Sequence, residues 1–281
     1  MQTDLYHQDA NRSFFGPLSM FLVIYQHTQL ILRLAKRDVQ ARYKGSYLGL
    51  CWSLLSPLLM LTIYTFVFSV VFKSRWDTSS STTGQFALLL FSGLIFFNIF
   101  AECVGRAPSL ITENVAYVKK VVFPLEILPI VSLLSALFNA ALAFLILIAF
   151  YPFVLGIPPW TIILTPLVLL PLVLITMGFS WFLASMGVFL RDLRQFIGIF
   201  ITCLLFLSPL FYPLTAVPSA LRRFYYLNPM TTILEQSKSV LFWNKLPNLI
   251  HLGLCLIFAW LACWLGFFWF MRTKKGFPDV I

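Results

Sequence analysis

Apolar residues gather in six long runs, at about 48–72, 86–104, 121–150, 161–190, 195–216 and 248–271, with short polar stretches between them. A helix needs roughly 20 apolar residues to cross the hydrocarbon core, whereas barrel strands alternate in segments of about ten, so unbroken runs of this length predict helices. The fold class expected is an all-α polytopic membrane protein with six transmembrane helices. Composition agrees: of 281 residues, 60% are hydrophobic and 11% charged, with a mean hydropathy of +0.88, outside the usual range for a soluble domain. The first run follows 47 mostly polar residues and lacks a small-residue cleavage pattern, so it is expected to stay as a span.

The polar stretches carry their own patterns. From Gln26 to Lys44 a helical wheel places Arg33, Lys36, Arg37, Gln40 and Lys44 on one arc and Leu30, Ile31, Leu34, Ala35 and Ala41 on the other. That is the signature of an amphipathic helix lying along a membrane face. Asp38 and Arg42 break the pattern, because both project from the apolar arc four residues apart, where they can pair. A charge pair on a greasy face predicts packing against protein rather than lipid. Residues 105–120, GRAPSLITENVAYVKK, are too short and polar for a span and predict a short helix, with Thr112 or Asn114 as cap and Lys119 and Lys120 in its last turn. In 217–247 the Asn228-Pro229 pair marks a helix start. Glu235 and Lys238 then disfavour a full crossing, so two short re-entrant helices are expected there, forming an outer lid.

Charge sets the expected orientation. Six spans put both ends of the chain on one side, and that side carries fourteen of the twenty Lys and Arg residues. Cations resist translocation, so both termini are expected in the cytoplasm. The domains follow as a tail over 1–25, an amphipathic helix over 26–47, a transmembrane unit over 48–272 that includes the 105–120 and 217–245 segments, and a tail over 273–281.

Candidate chemistry is sparse. Residues Cys51, Cys103, Cys203, Cys255 and Cys263 all fall in predicted spans without metal-ligand spacing, and His7, His27 and His251 form no cluster. No catalytic residue, metal or cofactor of this chain is expected. There is no GxxxxGK[ST] loop, so any ATP energy must come from a partner. Glu102 and Glu126, near span ends, read either as solvated helix-end residues or as functional carboxylates. Prolines 124, 129, 166 and 171 lie inside predicted spans, where kinks are expected.

Aromatic residues make up 17% of the chain. Phe196, Phe200, Cys203, Leu207 and Phe211 share one predicted helix face, as do Tyr64, Phe68 and Phe72. Such stripes serve either as packing or lipid-facing surface, or as a passage along which the C–H faces of sugars slide on aromatic rings. The basic cluster Arg33, Lys36, Arg37, Arg42 and Lys44 likewise reads as a positive-inside anchor, as a site for an anionic lipid head group such as a pyrophosphate, or as both.

Four stretches in order, KRDVQARYKGSYLGLCWSLLSPLLM, KKVVFPLEILPIVSLLSALFN, RDLRQF and FYPLTAVPSALRRFYYLNPMTTILE, resemble the membrane subunits of type-2 ABC polysaccharide exporters. The closest likeness is to the O-antigen exporter permeases of the Wzm type. The resemblance covers about 26–272 and departs from the family at Leu125, where a basic residue is frequent. It implies a homodimer in the bacterial inner membrane working with two copies of a separate ATPase, which binds ATP and Mg. It also implies export of an undecaprenyl-pyrophosphate-linked polysaccharide, with no nucleic-acid partner. In that picture Gln26–Lys44 is an interface helix, and Thr112, Glu113, Asn114, Tyr117, Lys119 and Lys120 belong to a coupling helix that docks in the ATPase. Arg222, Arg223, Tyr225, Tyr226, Asn228 and Pro229 belong to external gate helices. Tyr43, Tyr47 and Trp52 lead the sugar to a channel between the first and fifth spans. The competing reading is a membrane-embedded transferase acting on lipid-linked glycan, which needs a base or nucleophile that the chain does not obviously supply.

Overall fold

The computed structural model describes residues 19–44, 47–67, 83–118 and 123–280. Phe68, Phe72, Lys119, Lys120 and the side chain of Tyr43 lie outside the described residues. Among those described, the regular secondary structure is all helical, without strands. In order it forms α1 (Ser19–Tyr43), α2 (Trp52–Tyr64), α3 (Thr83–Arg106), the single turn α4 (Val115–Val118), α5 (Leu128–Leu155) and α6 (Thr165–Phe189). After these come α7 (Leu193–Phe206), α8 (Ser219–Leu227), α9 (Pro229–Leu241), α10 (Leu249–Thr273) and the terminal turn α11 (Phe277–Val280).

Among the described residues, four helical stretches, 84–109, 125–155, 160–189 and 249–280, are long and apolar enough to cross a membrane. At 1.5 Å per residue each exceeds the roughly 30 Å hydrocarbon core. The other two predicted spans are shorter helices, Trp52–Val67 and Leu193–Phe206. The first predicted span runs on into residues outside those described. The fifth, expected over 195–216, stops at Phe206, because Pro209 has no N–H to continue the helix and disfavours helical Ser208 before it. The Ser208 hydroxyl instead accepts a hydrogen bond from Asn228 at 3.2 Å, and the chain turns beneath α9.

Helix α3 is the centre of the bundle. From Phe86 to Phe97 every residue is buried, and α5, α6, α7 and α9 pack around it. A helix apolar on all sides belongs in such a position. The most extensive helix pair is α6 with α10, which meet at glycines: a Cβ on Gly266 would overlap the Gly178 carbonyl, and one on Gly178 would overlap that of Ala262. Between helices in lipid this close approach supplies attraction that water cannot.

The prolines mostly start helices rather than kink them. Pro124 lies in extended chain ahead of the turn Leu125–Ile127, and Pro129 and Pro166 occupy the first turns of α5 and α6, where the missing N–H costs nothing. Pro171, by contrast, lies inside α6. Helix α1 bends at His27, close to the predicted start at Gln26, and seven residues of the expected tail are helical ahead of it. There Met20 and Val23 are buried and Phe21 stacks on Trp260 of α10 at 5.6 Å.

The segment 107–118 is not one capped helix. It is a chain of turns, Ala107–Ser109, Thr112–Asn114 and α4, bolted to α6 where Gly187 leaves room for the Pro108 backbone. Neither expected cap forms: Thr112 donates back to the Ser109 carbonyl and Asn114 to that of Leu110, because both look toward the preceding turn. At the other end of the chain Phe277 is fully buried against Phe189 and Phe270, so the expected tail folds onto the bundle.

Candidate functional site

Two pairs of charges, each four residues apart, face one another at the end of α3. Helix α1 presents Asp38 and Arg42, and the last turns of α3 present Glu102 and Arg106. Arg106 donates to both carboxylate oxygens of Asp38 at 2.9 and 3.0 Å, while Arg42 bonds Asp38 at 3.2 Å and also pairs with Glu102. The chain of charge continues outward. Arg106 lies 3.9 Å from Glu113 of the 107–118 segment, and Glu113 lies 4.0 Å from Arg194 at the start of α7. Ser109 donates to Glu113 at 2.7 Å and holds it in place. Four parts of the chain are thereby joined through alternating charges.

Electrostatics follow from half-burial. Removal from water pushes the Asp38 carboxyl up, but Arg106 and then Arg42 outweigh this and hold it below the ordinary carboxylate value. Burial acts to lower the Arg42 pKa, but Glu102 and Asp38 outweigh it and raise it. The pairing of Asp38 with Arg42 and its packing against protein match the sequence expectation. Arg106 was missed, although its spacing from Glu102 repeats that of the α1 pair and could have shown it.

The predicted cations divide accordingly. Arg33, Lys36 and Lys44 are exposed, and Arg37, also exposed, donates to the Tyr117 hydroxyl at 3.1 Å. Tyr117 stacks on Phe123 at 4.3 Å, which orients α4 against α1. A cavity of about 190 Å³ lies between these groups and Asp38. Thr112 and Glu113 are exposed at the tip of the segment. Glu126 departs from the expected solvated position: it is buried, with Lys274 at 2.5 Å and the Trp181 indole donating to its backbone carbonyl at 2.9 Å. A partner 148 positions away has no local signature in the sequence.

The opposite end is built around α8 and α9. Asn228 caps α9 as expected, accepting from the Met230 N–H at 3.0 Å, with Pro229 next to it. Tyr225 and Tyr212 share a hydrogen bond of 2.8 Å, and Arg222 donates to the carbonyls of Val217 and Thr215. Arg223 and Tyr226 are exposed. Lys238 is fully buried and donates to the Pro209 carbonyl at 2.5 Å, which ties α9 to the turn that ends α7. Burial pushes its ammonium down to about 8, an effect that Glu235 offsets in part. Between about pH 8 and the ordinary lysine value the unfolded chain then holds the proton that the folded chain has lost, so stability rises with pH. Unfolding scans in detergent are expected to show this rise in the wild type and a flatter profile for Lys238→Met.

The aromatic candidates are spread out. Phe196, Tyr47 and Trp52 are exposed, and Phe200 is partly buried in the main core. Phe211 has left the helix face on which it was expected and stacks on Phe206 at 5.7 Å, since α7 ends before it. The fold gathers Tyr64 and Phe211 around Phe86, Leu90 and Leu94 of α3.

A bundle of long apolar helices, with an amphipathic helix and an ion-paired polar segment at one end, fits a multi-pass membrane protein. Residues 29–242 match the ABC-2 type transporter family, and the chain belongs to it. Among curated proteins it is 29% identical over 232 residues to the O-antigen export system permease protein RfbA of Myxococcus xanthus, covering 80% of this chain and 85% of that one. It is 25% identical over 257 residues to the RfbA permease of Klebsiella pneumoniae, covering 90% and 95%.

Proposed function

We propose that this chain is the membrane subunit of an ATP-driven polysaccharide exporter, working as a homodimer in the bacterial inner membrane with two copies of a separate ABC ATPase. Its cargo is a glycan on an undecaprenyl pyrophosphate carrier, moved outward from the cytoplasmic face. Family membership and the O-antigen export names of the relatives support polysaccharide export. The observation that carries the mechanism is the charge chain from Glu113 through Arg106 and Asp38 to α1, with its branch to Arg194. A push on the exposed Thr112–Glu113 tip by an ATPase reaches α1 and α7 through these contacts together. Exposed Arg33, Lys36, Arg37 and Lys44 supply a basic strip suited to a pyrophosphate, while Arg42 is held by two carboxylates. Both carboxylates considered for a transferase, Glu102 and Glu126, are paired with cations.

The test is co-purification of the chain with a candidate ATPase, comparing wild type with Asn114→Ala, Tyr117→Ala and Lys119→Ala combined. The expected result is a stable, hydrolysing wild-type complex and a variant whose association or coupled export is about tenfold weaker, as for loss of a contact hot spot. A chain that binds no ATPase yet modifies lipid-linked sugar would overturn the reading in favour of the transferase.

A further inference from the structure

A second site lies within the bundle, apart from the charge cluster but touching it. A groove of about 540 Å³ is walled by α2, α3 and α5, a volume typical of small-ligand sites, which run from about 300 to 1,000 Å³. Each wall contributes polar groups. Helix α2 presents Ser53, Ser56 and, near its far end, Tyr64; α3 presents Asn98 and Glu102; α5 presents Asn139. Ala136, Ala140 and Ala143 recess the α5 wall and give the groove its depth.

Asn98 is the telling residue. It sits near the middle of the candidate span 84–109 and is the exposed position in a stretch, Phe86 to Phe100, that is otherwise buried. A carboxamide left in hydrocarbon without partners costs several kcal/mol, so polar side chains within spans face a wet cavity or a polar ligand. Charge narrows the ligand. Glu102 is the one charged side chain lining the groove among the described residues, and Arg42 already neutralises it. Asn98 and Ser56 thus offer an amide and a hydroxyl that donate and accept, and the lining holds no unpaired cation to attract phosphate. Between these groups lie apolar surfaces of Phe91, Leu94, Ile95 and Met60. An uncharged polyhydroxylated ligand with apolar C–H faces matches that alternation.

We infer that this groove binds sugar units of the cargo through Asn98 and Ser56, as a subsite that begins where Glu102 meets the charge cluster. The inference rests on the exporter reading above. A lipid tail matches the polar lining poorly, and a second copy of this chain seated in the groove is the alternative that the test separates.

The experiment places the photoreactive residue p-benzoylphenylalanine at Ser56 in cells that carry the full chain, with Leu145, on the exposed surface of α5, as control. Adducts are analysed by periodate oxidation and hydrazide labelling of sugar, and surface glycan is measured for wild type, a deletion of the chain, Asn98→Leu and Asn98→Gln. The expected result is a sugar-bearing adduct at Ser56 and none at Leu145, with export by Asn98→Leu roughly tenfold lower, as for a lost buried hydrogen bond, and near-normal export by Asn98→Gln. A Ser56 adduct consisting of a chain dimer or phospholipid, or full export by Asn98→Leu, would overturn the groove assignment while the deletion still abolished surface glycan. Unchanged glycan in the deletion strain would instead remove the exporter reading and this inference with it. Where Asn98→Leu fails to fold, the Ser56 adduct decides.

Discussion

Replacing Asp38 with asparagine is expected to loosen α1, α3 and the 107–118 segment from one another at once. The carboxylate receives two bonds from Arg106 and one from Arg42, with its side chain 17% exposed. Removing one member of a buried pair strands the other charge, whereas an exposed pair contributes little. This half-buried group falls between, at about 2–3 kcal/mol. A double-mutant cycle of Asp38→Ala with Arg106→Ala, read by thermal unfolding in detergent, is expected to show coupling on the order of 1–3 kcal/mol; strict additivity would mean that the ion pair is ornamental. The pH dependence has a definite sign. Because the folded-state carboxyl is held below its ordinary value, its stabilisation is complete above about pH 4 and is lost as the pH falls through the lowered value. Wild type and Asp38→Asn are therefore expected to converge in strong acid.

Leucine at Gly266 is expected to be more damaging still. The backbones of α6 and α10 approach so closely there that even a Cβ would collide with the Gly178 carbonyl, which is not a flexible group that can swing aside. Overpacking costs typically about 1–3 kcal/mol where side chains can adjust, and here two long helices must separate. The expected outcome is loss of the monodisperse folded species in detergent chromatography. Gly253→Ala, on the same helix with open space around it, is the control and should behave as wild type. An unaffected Gly266→Leu chain would show that this crossing does not hold the bundle together.

Some of this structure was legible in advance for local reasons. The Asn228-Pro229 cap is written in two adjacent residues, since a capping side chain reaches only the next turn. The Asp38 and Arg42 pair was visible because helical geometry alone places charges four apart on one face. What escaped depended on partners far along the chain. Arg106 is 68 positions from Asp38 and Lys274 is 148 from Glu126, and no periodicity links such distances. Phe211 is an exception with a local cause, since Pro209 ends its helix within the apolar run that predicted it to continue. The expected caps of 107–118 failed because the segment is shaped by its seat on Gly187 of α6 and not by its own propensity.

Long apolar runs by themselves determined that this is a helical membrane protein, because hydrocarbon leaves the backbone no other way to satisfy its hydrogen bonds over such lengths. The family motifs, read in order, likewise pointed to the exporter class. Tertiary structure decided which helix lies at the centre, which cations are spent on carboxylates and which remain exposed. It alone set Asn98 into a groove with residues of two other helices. Burial and ion pairing are properties of surfaces brought together by packing, and a linear pattern specifies the face of each helix without naming the face it meets.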